Sequence, residues 1–294
     1  MMPRLGVLGW PVAHSRSPSI HNAAFASLGM ADWRYQRLPV PPELFSETTR
    51  SLGASGFLGA NVTIPHKQAA LALADRASEA ARAIGAANTL TIALDGTISA
   101  ENTDAPGLIA ALGESPRGMR ALVLGAGGSA RAAAWALREA GAGEVSVWNR
   151  TPERARALAR DLGVRAVDDP EGADLLINCT SVGLEGSAGG PDRPVDTVES
   201  PTSAEPPPGE REMLSQVGLS ADRMGDYPYV VDMVYRAEGP TQLLAAAAEH
   251  GARTLDGLEI LLAQGAASFE LWTGRRAPLE AMRRALRDAR EPPI

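Results

Sequence analysis

The first residue whose placement asks for a chemical role is Lys67, in the stretch GANVTIPHKQAA (Gly59 to Ala70). Asn61 to Ile64 reads as extended chain, so Asn61 and Thr63 share one face and Val62 and Ile64 the other. Pro65 reads as a first helical residue, and the line of polar side chains then ends at the Lys67 ammonium. A cation is disfavoured there, because the unsatisfied N–H groups of a helix start are already positive. A pair of hydroxyls, Ser15 and Ser17 in HSRSP, lies at another strand-to-helix turn. Helix capping explains Ser17 but not Ser15. Asn88 in GAANTL and Asp104 in ENTDAPG stand at the edges of expected elements, and Gln264 lies on the apolar stripe Ile260, Gln264, Ala267, Leu271. A buried amide left unpaired costs about 1–3 kcal/mol, so Gln264 needs either a ligand or a backbone carbonyl. Each residue has a structural explanation by itself. Jointly, hydroxyls and amides around one lysine and one aspartate, with few aromatics, describe a pocket for a small polyhydroxylated acid.

A different chemistry gathers after residue 105. LVLGAGGSARAAAWAL sets Gly125, Gly127 and Gly128 between a strand and a helix, where glycine lets backbone approach a pyrophosphate held at the helix N-terminus. The spacing is GxGG rather than GxGxxG, and a merely structural turn would also explain it. The next strand ends in VWNRTPERA. An NAD enzyme usually carries an acid here for the ribose hydroxyl. This chain has Asn149, Arg150, Thr151 and Arg154, which attract a 2′-phosphate and favour NADP over NAD; solvated surface arginines are the alternative. NCTSVG (178–183) ends a third strand on the nicotinamide side, with Cys179 read as a small core residue.

The elements that must position these residues alternate. Strands are expected at 4–9, in WRYQRLPV and in GFLGANVTI, with helices in SPSIHNAAFASLG (Ser17 as N-cap, Pro18 at its first position), PELFSETTRSL, 66–74 and 78–84. An Asp95-Gly96 turn closes a hairpin. A second strand–helix set follows from about 106, with a late strand at 229–235, and the last third is helical at 240–250, 256–272 and 278–290. The segment 185–227, rich in Pro, Gly, Ser and acid, reads as a flexible surface insertion. The fold class expected is therefore α/β with two lobes. An N-terminal α/β substrate lobe meets a Rossmann-like parallel-sheet cofactor lobe, and the C-terminal helices return to the first.

With 294 residues, 45% hydrophobic and 21% charged, the composition is that of a soluble globular protein. No apolar run approaches the ~20 residues of a membrane span, and the start lacks a signal-peptide pattern, so a cytoplasmic protein is expected. A net charge of −7 argues against a nucleic-acid partner. One cysteine and four histidines without ligand spacing argue against a metal.

Nine motifs, in order, resemble the shikimate dehydrogenase family: GWPVAHSRSPSIHN, GANVTIPHK, GAANTL, NTDAPG, GAGGSARA, NRTPERA, NCTSVG, DMVY and DGLEILLAQGAASFELWTG. They cover nearly the whole chain outside 185–227. The resemblance implies NADP-dependent interconversion of shikimate and 3-dehydroshikimate, on the route to chorismate and the aromatic amino acids, in a monomer or homodimer. It implies Lys67 and Asp104 as the catalytic pair. Ser15 and Ser17 would bind the substrate carboxylate with Tyr235 nearby, and Asn61, Thr63, Asn88, Asp104 and Gln264 the ring hydroxyls. Gly125, Ala126, Gly127, Gly128 and Ser129 would cradle the pyrophosphate, and Asn149, Arg150, Thr151 and Arg154 the 2′-phosphate. Thr180, Met233 and Gly257 would line the nicotinamide half. The implied division is a substrate lobe of residues 1–105, a cofactor lobe of 106–256, and C-terminal helices of 257–294 on the substrate lobe. The chain departs from the family at Glu101, where an aromatic or apolar residue is usual, at Ala105, where glycine is common, and at Pro240-Thr241, which reads as an inversion of Thr-Pro. The rival readings are a quinate-active paralogue using NAD, a folate-pathway enzyme of related architecture, and a non-catalytic NADPH-binding regulator.

Overall fold

In the computed structural model, which describes residues 2–184, 209–236 and 238–288, the strand and helix alternation builds two sheets. The first set runs β1 (Arg4–Gly9), α1 (Ser17–Ser27), β2 (Arg34–Pro39), α2 (Phe45–Ser51), β3 (Phe57–Val62), α3 (Lys67–Leu73), β4 (Arg76–Ala77), α4 (Glu79–Ile84), β5 (Thr89–Ile92), β6 (Ile98–Glu101) and α5 (Asp104–Leu112). Its six strands lie in the order β2-β1-β3-β5-β6-β4. β1 pairs in parallel with β2 and β3, whereas β5 runs antiparallel to both β3 and β6. Gly96, at φ 85°, supplies the left-handed residue that the β5–β6 hairpin requires.

The second set runs β7 (Arg120–Leu124), α6 (Gly128–Glu139), β8 (Glu144–Trp148), α7 (Pro152–Leu162), β9 (Arg165–Ala166), β10 (Leu175–Asn178), α8 (Glu210–Gln216), β11 (Tyr229–Asp232), α9 (Gln242–Glu249) and β12 (Arg253–Asp256). The order is β12-β11-β10-β7-β8-β9, and every pairing is parallel. That is the doubly wound order, whose direction reverses between β7 and β10. Helices cover both faces, which is why LVL, LLI and YVV are near-continuous apolar runs rather than alternating ones.

Two further helices, α10 (Gly257–Thr273) and α11 (Leu279–Asp288), leave the second sheet and return to the first. Leu262, Phe269, Met282 and Leu286 share a core with Leu5, Ile20, Phe25 and Tyr35. Gly107 permits the closest approach, since a Cβ there would stand 2.8 Å from Gln264 Cβ across the α5–α10 contact. The expected two-lobe α/β architecture, with C-terminal helices on the first lobe, is the one observed. Arg131 ties the lobes together. From α6 its Nε donates to the Ile84 carbonyl at the end of α4 (2.6 Å), and its Nη1 meets Asp161 of α7 (3.0 Å).

Local expectations need correction in three places. Arg16, not Ser17, occupies the cap of α1, and its own side chain makes no cap bond. Helix α3 starts at Lys67 rather than Pro65, because His66 N bonds the Thr63 carbonyl to close a turn before the first helical bond, Ala70 N to His66 O. The supposed insertion 185–227 is not uniform. Residues 185–208 lie outside the described residues, whereas α8 and the 3₁₀ turn Ala221–Asp226 bury Met213, Leu214, Val217, Leu219, Met224 and Tyr227 against Leu122, Leu176 and Val230. The 213/214/217 spacing is that of a helix face. Averaging it with the proline-rich stretch hid it.

Candidate active site

Two helix starts face one another. Lys67 is the first residue of α3 and Asp104 the first of α5, and Lys67 Nζ lies 2.6 Å from Asp104 Oδ2. An acid suits a helix N-terminus and a base does not. The carboxylate therefore compensates the lysine that the helix itself disfavours. Both side chains are largely buried, at 11% and 6% exposure, so this pair is far less screened than a surface one. The preceding residue is pinned: His66 stacks on Phe45 at 4.4 Å, and its Nε2 lies 2.7 Å from the Val40 carbonyl oxygen. Burial lowers the His66 pKa, which keeps the ring neutral.

Asn88 is the hub behind this pair. Its Nδ2 lies within donor distance of Asp104 Oδ1 (2.9 Å), Thr103 Oγ1 (2.9 Å) and Gln264 Oε1 (3.2 Å). Its Oδ1 accepts from Thr103 N at 2.7 Å. Gln264 in turn donates to the Leu261 carbonyl at 2.9 Å, so a backbone carbonyl satisfies one half of that amide. Asn61 accepts from Tyr35 OH at 2.7 Å and donates towards the Asn88 carbonyl (3.2 Å) and Thr89 Oγ1 (3.1 Å). Thr63 stands apart from these amides, its methyl in the space that a Cβ on Gly9 would fill.

At the other end of the pocket Ser15 and Ser17 are both buried, their hydroxyls 3.3 Å apart. Ser15 Oγ also accepts from Ser17 N at 3.3 Å, at the first residue of α1. Tyr235, from the loop after β11, joins them through Arg16 N, which donates to its OH at 3.3 Å. Arg37 Nε donates to the Ser15 carbonyl at 3.0 Å and brings a guanidinium to this corner. Tyr35, Arg37, Thr89 and Thr103 were not singled out in the sequence. The only signal was the alternation that puts Tyr35 and Arg37 on one face of β2.

The cofactor-side residues gather at the point where the second sheet reverses. Gly125 has φ 108°, and a Cβ on it would lie 3.2 Å from the backbone of Cys179 at the end of β10. Gly127 is the cap of α6 and has open space where a Cβ would stand, so bare backbone faces outward at the helix start. This cradle, with the exposed Arg150 and Arg154 at the start of α7, fits a dinucleotide bearing an extra phosphate. Asn149 Nδ2 bonds the Thr151 carbonyl at 3.0 Å, and Thr151 is the cap of α7. Thr180, Met233 and Gly257 converge on the opposite side of the turn. Thr180 Cγ2 would lie 3.3 Å from a Cβ on Gly125, and Met233 O 2.5 Å from one on Gly257.

Beneath them is a buried carboxylate, Asp232, which accepts from Asn178 Nδ2 (2.9 Å), Val234 N (3.0 Å) and Thr241 Oγ1 (2.6 Å). Burial pushes its pKa up to about 7 while these three donors pull it back. Asn178 also accepts from Thr180 Oγ1 at 2.8 Å, so the network reaches Thr180 beside the glycine turn. Thr241 caps α9, its side chain accepting from Leu244 N. Pro240 therefore precedes the cap, and Gln242 is the first helical residue. Burial drives the Cys179 thiol pKa well up, which makes it an inert core residue. Among the described residues no cluster of His, Cys, Asp and Glu could hold a metal ion, and no helix is long and apolar enough to cross a membrane.

A doubly wound sheet with a bare-backbone helix start at its crossing point, opposed by a second lobe that presents a buried lysine–carboxylate pair, defines a two-lobed dinucleotide-dependent oxidoreductase. Comparison with known proteins sharpens the class. Residues 7–90 match the shikimate dehydrogenase substrate binding domain, 109–180 the shikimate / quinate 5-dehydrogenase model, and 257–287 the shikimate 5′-dehydrogenase C-terminal domain. The NADP(+) shikimate dehydrogenase of Methanothermobacter thermautotrophicus is 42% identical over 96% of this chain and 95% of its own. The crystal structure of shikimate 5-dehydrogenase from Thermus thermophilus, in complex with NADP(H) and shikimate, is 40% identical with a TM-score of 0.78, covering 97% of this chain and 99% of that one. A 5-ketofructose reductase of Gluconobacter shares the fold at 29% identity and a TM-score of 0.73, covering 98% and 99%. The chain belongs to the shikimate dehydrogenase family.

Proposed function

We propose that this protein interconverts shikimate and 3-dehydroshikimate with NADP(H), in the cytoplasm, with residues 1–105 and 257–294 holding the substrate and 106–256 the cofactor. The observation that carries the reading is the position of Lys67 Nζ, 2.6 Å from Asp104 and at the seam with the glycine-turn helix. The cofactor, when bound, accepts or returns the hydride of the carbon that bears the reacting hydroxyl. Lys67, as the free amine, takes the hydroxyl proton as the carbonyl forms, and as the ammonium returns it in reduction; Asp104 holds it in place. Asn88, Asn61, Thr63 and Gln264 orient the ring hydroxyls. Ser15, Ser17 and Tyr235 bind the carboxylate, with the Arg37 guanidinium as its nearby counter-charge. Gly125, Ala126 and Gly127 hold the pyrophosphate, Asn149, Arg150, Thr151 and Arg154 the 2′-phosphate, and Thr180, Met233 and Gly257 the nicotinamide half.

The hydroxyl pair at Ser15 and Ser17 distinguishes this substrate from a neutral keto-sugar, which has no carboxylate to place there. The test is spectrophotometric. NADPH formation is followed with shikimate, with quinate, with a neutral polyol and without substrate. Turnover is expected with shikimate and NADP+ well above every other combination. No absorbance rise with shikimate would overturn the reading.

A further inference from the structure

We propose that Ser129 is a positioning residue for Lys67, and that the first turn of α6 is divided, its glycine cap serving the cofactor and its next two residues serving the lysine. The proposal rests on the reading of Lys67 as the proton-transfer group and goes beyond it by assigning the residue that aims it. Lys67 Nζ donates to Ser129 Oγ at 2.9 Å, across the boundary between the two lobes. The lysine stem lies flat against the same turn, since a Cβ on Gly128 would come within 2.6 Å of Lys67 Cβ and 3.1 Å of Cδ. Gly127 differs: nothing stands within 4 Å of where its Cβ would be. Close approach to a ligand explains the glycine at 127, and the passage of the lysine explains the one at 128.

An ammonium has three N–H groups. Asp104 takes one at 2.6 Å and Ser129 a second at 2.9 Å, so the remaining direction is set by geometry. With Asp104 alone the Nζ rotor could swing about a single contact. The hydroxyl of Ser129 therefore acts on the reacting group's orientation and not on the affinity of either ligand. Because Ser129 belongs to the second lobe and Lys67 to the first, the lysine is fully aimed only when the lobes meet.

Steady-state kinetics of Ser129→Ala and Ser129→Thr, with shikimate and NADP+ varied in turn, test this. Ser129→Ala is expected to lower kcat about tenfold, the worth of one hydrogen bond to a charged group, with KM for NADP+ changed less than about twofold. Ser129→Thr, which restores the hydroxyl, is expected to recover most of kcat. A rise in KM for NADP+ with kcat retained would assign the hydroxyl to the pyrophosphate and overturn the proposal. Unchanged constants, or a threonine variant no better than the alanine one, would overturn it too. Should Ser129→Ala fail to fold, Gly128→Ala decides. Pushing the lysine stem aside lowers kcat at unchanged KM for NADP+ if the division holds, and raises that KM if it does not. Retained turnover in Lys67→Ala sinks the underlying reading whatever Ser129 does, so the two failures are separable.

Discussion

The two halves of the candidate site are built by opposite means. On the substrate side Asn61, Asn88, Asp104, Gln264 and Lys67 are buried and already bonded to one another, largely through the single amide of Asn88. On the cofactor side Arg150 and Arg154 are exposed at a helix start, and the glycines offer backbone and space rather than side chains. The buried half is held by its own hydrogen bonds and tolerates little change, because every lost partner leaves another group unpaired in a low-dielectric setting. The exposed half works by charge in water, where single contacts are weaker and screened. Chemistry and selectivity for a small ring studded with hydroxyls need the first kind of surface. A large, highly charged dinucleotide can be held by the second.

That contrast orders the expected effects of mutation. Lys67→Ala is expected to lower kcat by about 10²–10⁴-fold with a much smaller change in KM for shikimate. A loss of only a few-fold would mean that Lys67 positions and does not transfer the proton. Next, Asn88→Ala removes the hub and strands Asp104 Oδ1 and Thr103 N. A cost of about 2–3 kcal/mol is expected, read as a fall of several degrees in thermal midpoint together with lost turnover. A variant that melts like the parent would show that the Asn88 amide does not hold the buried half together. Arg150→Ala or Arg154→Ala should raise KM for NADP+ roughly tenfold, leave KM for shikimate unchanged and narrow the preference over NAD+. Added salt should erode the parent's advantage. If salt has no effect, recognition there is not the exposed electrostatics described.

The smallest effect concerns stability alone. His21 is fully buried, stacked on Tyr35 at 4.3 Å, and neither ring nitrogen has a hydrogen-bond partner. Burial lowers its pKa from 6.5 to about 3. A folded pKa below the unfolded one means that the unfolded chain binds the extra proton. Titration of His21 therefore adds no cost above pH 6.5 and destabilises progressively as the pH falls from 6.5 towards 3. Melting curves of His21→Phe should show a shallower loss of midpoint over that window than the parent. Parallel slopes would show that the ring is protonated or hydrated in the fold.

Much of this was readable along the chain because the signals are local. Gly125 and Gly127 before a helix, the arginines after β8 and the strand–helix alternation depend on residues close in sequence. The helix α8 was missed because a proline-rich neighbour diluted its apolar spacing. Ser17 was explained too well as a cap, a position that Arg16 holds. Tyr35, Thr103 and Arg37 could not be found by spacing, since each acts through a partner on another element: Tyr35 on Asn61, Thr103 on Asn88, Arg37 on the Ser15 carbonyl. The same limit applies to Ser129, whose place in a glycine-turn motif pointed to the pyrophosphate.

Sequence by itself determined the two-lobe α/β class, the cofactor-binding turn and the set of polar residues available for a site. Periodicity, glycine and charge at strand ends follow from short-range sterics and solvation, which are written in neighbouring residues. Only the tertiary structure decided which of those residues meet. A lysine at an unfavourable helix start becomes tolerable because Asp104 arrives from another helix, and a glycine becomes necessary because that lysine passes over it. Such pairings depend on how elements pack through space, and that packing is cooperative over the whole chain rather than local to any motif.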